Sequence, residues 1–206
     1  MSRLSEKPSE SSIARDPASL SPEFSLEQRR TLLGIAHQAI LSVLERRPSP
    51  EATAFPAGLS ELRGVFTTLY LDGQLRGCVG YAVPIAPLYR AVAETARAAA
   101  FEDHRFLPVT KEEALKLEVS LSVLSRLFPI HPEAVEVGRH GLLITDGARR
   151  GLLLPQVPVE HGWERETFLE QTSRKAGLPL DAWRKNATLE AFTAEVFGDA
   201  DVEVPR

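Results

Sequence analysis

Hydrophobic and polar positions alternate with different periods along the chain, and each change of period marks an element. From Ser25 onward, Leu32, Leu33, Ala36, Ile40, Val43 and Leu44 recur at three- and four-residue steps. That spacing predicts one apolar helix face. Ser25 and Gln28 stand at the spacing of a capping box, and Pro48 and Pro50 stop the helix. Residues 48–63 read as a connection. Residues 64–81 then switch to a strand pattern, with β-branched and aromatic residues over 65–70 and Asp72-Gly73 as the hairpin turn. The alanine-rich stretch Leu88–Phe101 predicts a helix that packs close to a sheet. Thr110 and Glu113 repeat the capping-box spacing before a short helix near 111–116. In 117–124, Leu117, Val119, Leu121 and Val123 face one way, and Glu118, Ser120 and Ser122 the other. Residues 141–155 form a second hairpin turning near Asp146-Gly147, with Pro155 at its end. An amphipathic helix over 164–176 carries Trp163, Phe168, Leu169 and Thr172 on or near one face, and Gly177 suits its C′ position. Residues 188–197 alternate again and predict one last strand.

Hairpins interleaved with helices, without a regular strand–helix–strand rhythm, predict an α+β fold with a mainly antiparallel sheet flanked by helices. The first 24 residues are dominated by Ser, Pro and Glu and predict a disordered tail. The ordered domain is expected over 25–200, and 201–206 form a short C-terminal tail.

Composition narrows the function classes. With 24 Lys plus Arg against 28 Asp plus Glu, the net charge is −4. Bulk-charge binding to duplex nucleic acid is therefore disfavoured. A single cysteine, Cys78, excludes an internal disulfide and a multi-cysteine zinc site. No motif calls for a metal or a cofactor. The five histidines show no i,i+4 pairing, and neither a phosphate-binding glycine loop nor a nucleophile elbow occurs. No apolar run reaches membrane-span or signal-peptide length, so a cytoplasmic protein with no membrane contact is the expectation.

Two segments carry candidate chemistry. In Leu75-Arg76-Gly77-Cys78-Val79-Gly80, strand alternation puts Arg76, Cys78 and Gly80 on one face. A neighbouring cation favours thiolate over thiol, and Gly77 and Gly80 leave room for a ligand or another backbone. The plainer reading is a buried cysteine in a core strand, with Arg76 bound to a structural carboxylate. In Phe101-Glu102-Asp103-His104-Arg105-Phe106-Leu107-Pro108, Asp103 stands where it can orient His104 or Arg105, and Arg105 suits a two-pronged grip on an anion. The plainer reading there is a helix end with a structural Asp–Arg bridge, Phe101 and Phe106 plugging the core. The stripe of Glu118, Ser120 and Ser122 is either a solvated sheet face or a wall that hydrogen-bonds a polar ligand.

Together these segments resemble one known family. Leu-Arg-Gly-Cys-Val-Gly at 75–80 is similar to its signature hexapeptide. Ala99-Ala100-Phe101-Glu102-Asp103 with Arg105-Phe106 and Pro108, then Glu118 to Leu124, resemble its second and third blocks. His140-Gly141-Leu142, the run from Arg150 to Val157, and Lys175-Ala176-Gly177-Leu178 complete the order. This is the AMMECR domain family, whose bacterial and archaeal members are called protein A of the AmmeMemoRadiSam system. The resemblance spans roughly 28–198. It implies a two-lobed α+β fold with a cleft beside the hexapeptide. It also implies partners, a Memo-like protein and a radical S-adenosylmethionine protein, but supplies no reaction. Val79 stands where Ile is common, and Ser173 where many bacterial relatives have Cys.

The resulting expectation is an enzyme or enzyme component acting on a small polar or anionic ligand. Cys78 would be nucleophile or close contact, with His104 or Glu118 moving protons. Arg76, Gly77, Gly80, Asp103, Arg105 and Ser120 would line the ligand. The alternative is a non-catalytic adaptor that docks a Memo-like or radical-enzyme partner.

Overall fold

A computed structural model of the chain describes residues 22–48, 55 and 57–202. The helices are α1 (Leu26–Leu44), α2 (Leu88–Phe101), α3 (Lys111–Ala114), α4 (Gln156–Glu160) and α5 (Arg165–Lys175). The strands are β1 (Val65–Leu71), β2 (Gln74–Tyr81), β3 (Glu118–Leu124), β4 (Phe128–Pro129), β5 (Gly141–Asp146), β6 (Arg149–Leu153), β7 (Thr188–Phe192) and β8 (Ala194–Gly198). They form two four-stranded antiparallel sheets, ordered β2-β1-β3-β8 and β4-β7-β5-β6. The fold is α+β, with helices against the sheets, as the periodicity predicts.

Both capping boxes form. The Ser25 hydroxyl accepts from the Gln28 amide, and the Gln28 side chain accepts from the Ser25 amide. Thr110 and Glu113 make the same reciprocal pair at α3. Asp72 and Gly73 both take positive φ, as a right-twisted two-residue hairpin requires. At the end of α5, Gly177 has φ +68°, and the Gly177 and Leu178 amides bond the Arg174 and Ser173 carbonyls. That is the Schellman pattern expected of a C′ glycine.

The first sheet buries one face. Val65, Leu69, Val119, Leu121, Val123 and Phe197 pack with Leu32, Leu33, Ala36 and Ile40 of α1 and with Ala91, Val92, Ala96 and Ala99 of α2. The opposite face carries Phe66, Thr68, Ser120, Ser122 and Cys78, all only partly buried. The second sheet buries Leu142, Ile144, Leu189 and Ala191 against Phe168 and Leu169 of α5. Ser173, in the same helix, is buried and donates to the Leu169 carbonyl.

Residues 188–197 are not the single strand that their alternation predicts. They divide at Thr193 into β7, which pairs with β5 and β4, and β8, which pairs with β3. Ser125 holds this crossing from the other direction. Its amide donates to the Thr193 carbonyl at 2.8 Å, and its hydroxyl accepts from the Thr193 amide at 3.0 Å. Continuous alternation marks extended backbone but carries no information about which sheet it joins. Helix α4 and the two-residue β4 are too short for a periodic signal.

The expected N-terminal tail lies mostly outside the described residues. Its last positions are anchored: Phe24 is buried and its ring meets Phe197 at 6.2 Å, while Glu23 pairs with the buried Arg63. At the other end Val202 is buried, and 203–206 lie outside the described residues. Among the described residues no helix is long and apolar enough to cross a membrane.

Candidate functional site

Strand β2 is an edge strand, and its alternation breaks once. Leu69 pairs with Gly77 but Tyr70 pairs with Leu75, leaving Arg76 as the extra residue of a β-bulge. A bulge turns the side chains on either side of it out of simple alternation. The shared face expected for Arg76 and Cys78 is therefore not formed. Arg76 reaches instead to the Glu113 carboxylate, with Nε to Oε1 at 3.0 Å and Nη2 to Oε2 at 3.1 Å. Nη2 also lies 3.4 Å from the Pro108 carbonyl oxygen. Glu113 thus caps α3 and holds Arg76 with one carboxylate, which lies below its usual pKa chiefly because of the Arg76 hydrogen bonds. The capping-box spacing announces the first role of Glu113; the plainer reading of the hexapeptide calls for a structural carboxylate on Arg76, and the structure identifies it as Glu113.

Beyond the bulge the strand is regular. Cys78 stands opposite Thr68, and Thr68 stands opposite Ser120. One row of the helix-free face is therefore Cys78, Thr68, Ser120. The Thr68 hydroxyl donates to the Cys78 sulfur at 3.4 Å. Thr68 was not among the residues that sequence singled out, because a strand threonine has no distinguishing context until its cross-strand neighbour is known. Glu118 lies on this face two residues along β3 from Ser120 and is exposed.

The backbone of Cys78 faces away from β1, into the loop after α2. Its N–H donates to Asp103 Oδ2 at 2.9 Å, and its carbonyl oxygen lies 3.4 Å from Arg105 Nη2. Arg105 in turn grips the same carboxylate, with Nε to Oδ1 at 2.9 Å and Nη2 to Oδ2 at 2.7 Å. Asp103 also accepts the Arg105 amide, an Asx-type turn. The Arg105 side chain foremost, with the two amides, holds the Asp103 carboxyl well below the usual carboxylate range. Between them the two side chains do for the edge strand what a further strand would do. Phe106 lies under both guanidinium groups, 6.0 Å from Arg76 and 5.5 Å from Arg105.

The other expected positions fall as follows. His104 sits between Asp103 and Arg105 and is exposed. Gly77 faces the buried side, where a Cβ would overlap the Ala99 carbonyl oxygen of α2. Gly80 lies on the helix-free face, but the Phe66 ring fills the space above it. Both glycines thus serve close approach of protein groups, one a backbone and the other a ring. Among the described residues no three of His, Cys, Asp or Glu gather to hold a metal ion.

Residues 33–197 match the family model described as AMMECR1. A protein of Methanopyrus kandleri is 40% identical over 194 residues, covering 89% of this chain and 94% of that one. A protein of Aquifex aeolicus is 39% identical over 181 residues, covering 84% and 93%. The crystal structure of an uncharacterized protein from Pyrococcus horikoshii is similar at a TM-score of 0.65. It is 40% identical and covers 85% of this chain and 93% of that chain.

Proposed function

The chain belongs to the AMMECR1 family, and on that premise we propose that a small polar ligand binds beside the Cys78 thiol, on the helix-free face of the first sheet, as the work of an enzyme or enzyme component. One observation carries this reading. The Cys78 backbone is held through Asp103 and Arg105, while its side chain stays on the helix-free face with the Thr68 hydroxyl as its hydrogen-bond partner among the described residues. The main-chain bonds satisfy the strand edge, and they hold the thiol at a fixed place on a face that is only partly buried.

The row of Cys78, Thr68 and Ser120 offers one thiol and two hydroxyls to a ligand's polar groups. Glu118 and His104, both exposed, are the proton carriers of this reading. Arg105 is 58% exposed on its side chain and is the cation for a ligand's negative group. Both arginines fork onto a carboxylate, but Arg76, at 14%, is closed off beside Glu113 and serves the bulge.

The test is a thermal-shift screen of small carboxylates, phosphates and neutral amides against the native protein, Cys78→Ser and Ser120→Ala. A compound that raises the wild-type midpoint and loses most of that effect in both variants supports the reading. Stabilisation that both variants retain in full puts the ligand elsewhere and removes it.

A docking role has its own observation. Leu62, Val83 and Ile85 are exposed on the two segments joined by the Leu62–Pro87 bridge. Apolar groups gathered this way suit a protein partner, and the family resemblance points to a Memo-like or radical S-adenosylmethionine protein. Changing all three to serine abolishes co-purification with such a partner if this face is the contact.

A further inference from the structure

Asp103 and Arg105 both touch the Cys78 peptide, yet their charges act on a thiolate in opposite directions. The carboxylate lies 2.9 Å from the Cys78 nitrogen, and the guanidinium 3.4 Å from its carbonyl oxygen. An anion there disfavours a thiolate and a cation favours one. Arg105 is largely exposed, whereas the Asp103 side chain is only 7% exposed. Without its partner, an exposed arginine spreads its charge over many rotamers. The fork fixes it: Nε and Nη2 each take one oxygen of a carboxylate that is itself tied to β2. Arg105 lies above its ordinary pKa chiefly through Asp103. Among the described residues the charged groups on the neighbouring elements include Arg76, paired with Glu113 beyond the bulge, Glu118, two strands away, and the exposed Glu102 and His104 on either side of Asp103.

We infer that Asp103 is a positioning residue, which fixes the Arg105 guanidinium beside Cys78 so that this cation promotes the thiolate. The inference rests on the reading of Cys78 as the working group of the site and names what controls it.

The direction of one effect decides the matter. If Asp103 acts only as a charge, its removal speeds thiolate chemistry. If it acts by holding Arg105, its removal slows that chemistry, as removal of Arg105 does. The measurement is the rate of iodoacetamide alkylation of Cys78 against pH in the folded full-length protein, with melting midpoints recorded in parallel. Arg105→Gln is expected to slow alkylation at pH 7 about threefold, the size expected of an exposed, solvent-screened cation. Asp103→Asn is expected to slow it by a similar factor, and the double variant no further. Faster alkylation in Asp103→Asn, no change in either single variant, or independent effects in the double variant would overturn the inference. A wild-type thiol that reacts only on unfolding would overturn it too. If Asp103→Asn does not fold, Arg105→Lys replaces it. Lysine keeps the charge but not the fork, so it is expected to slow alkylation as Gln does, and a wild-type rate there would overturn the inference. The assay uses no ligand, so an empty ligand screen removes the proposed binding role and leaves this result standing. Screen hits lost in Cys78→Ser, alongside unchanged alkylation, do the reverse.

Discussion

At the scale of single residues, polar atoms decide more here than side-chain identity suggests. Asp103 is the clearest case. One carboxylate receives two backbone amides and a bidentate guanidinium. Its pKa is depressed in the fold relative to an unfolded value of about 3.9. A depressed carboxylate contributes stability that is fully present above the unfolded value and is lost as pH falls through the folded one. Asp103→Asn is therefore expected to lower unfolding free energy at pH 7, and the gap from wild type is expected to narrow as pH drops below about 4. Denaturant titrations at pH 7, 4 and 3 check this, and a gap that stays constant across that range would exclude a paired, ionised Asp103. The sequence shows Asp103 beside Arg105, and a two-residue spacing allows the bridge. It does not show that the pair closes on Cys78, 25 residues away.

At the scale of elements, the contact between β2 and α2 sets the geometry of the site. The alanine-rich face of α2 predicts close packing on a sheet, and Ala91, Ala96, Ala99 and Ala100 are buried there. What allows the approach is Gly77, whose missing side chain leaves space for the Ala99 carbonyl. Gly77→Ala drives a methyl into helix backbone, which has no rotamer by which to yield. The expected cost is about 1–3 kcal/mol of unfolding free energy, measured by urea denaturation. A loss below a few tenths of a kcal/mol would mean that α2 stands further off than described. The bulge at Arg76 belongs to this scale as well. Hexapeptide alternation reads correctly from Gly77 to Gly80 and fails at Arg76, because a bulge is settled by pairing with β1 and by the carboxylate waiting on α3.

At the scale of the whole molecule, the chain passes from the first sheet to the second after β3 and returns between β7 and β8. Two apolar cores result, one around α1 and α2 and one around α5. Ser125 and Thr193 meet where the outgoing and returning segments pass. Ser125→Ala keeps the backbone bond and removes the acceptor of the Thr193 amide. The expected loss is about 1 kcal/mol, the net worth of one such hydrogen bond, together with faster hydrogen exchange at Thr193 than at the amides of β3. Unchanged exchange at Thr193 would show that the crossing is held by other contacts.

The sequence by itself determined the local elements, because helix periodicity, capping boxes and hairpin turns are interactions between residues close along the chain. Ser25 with Gln28, Asp72 with Gly73, and Gly177 after α5 need no distant partner to be read. It also determined the family, through ordered motifs whose family match covers residues 33–197. Only the tertiary structure decided that residues 188–197 serve two sheets, that Arg76 leaves the cysteine for Glu113, and that Thr68 and Ser120 continue the row from Cys78. Those outcomes depend on strand register and on groups 10 and 37 residues apart in sequence, Thr68 with Cys78 and Arg76 with Glu113. Local pattern fixes the alternation of side chains, but where that alternation breaks and what each side chain meets are fixed only when the sheets assemble.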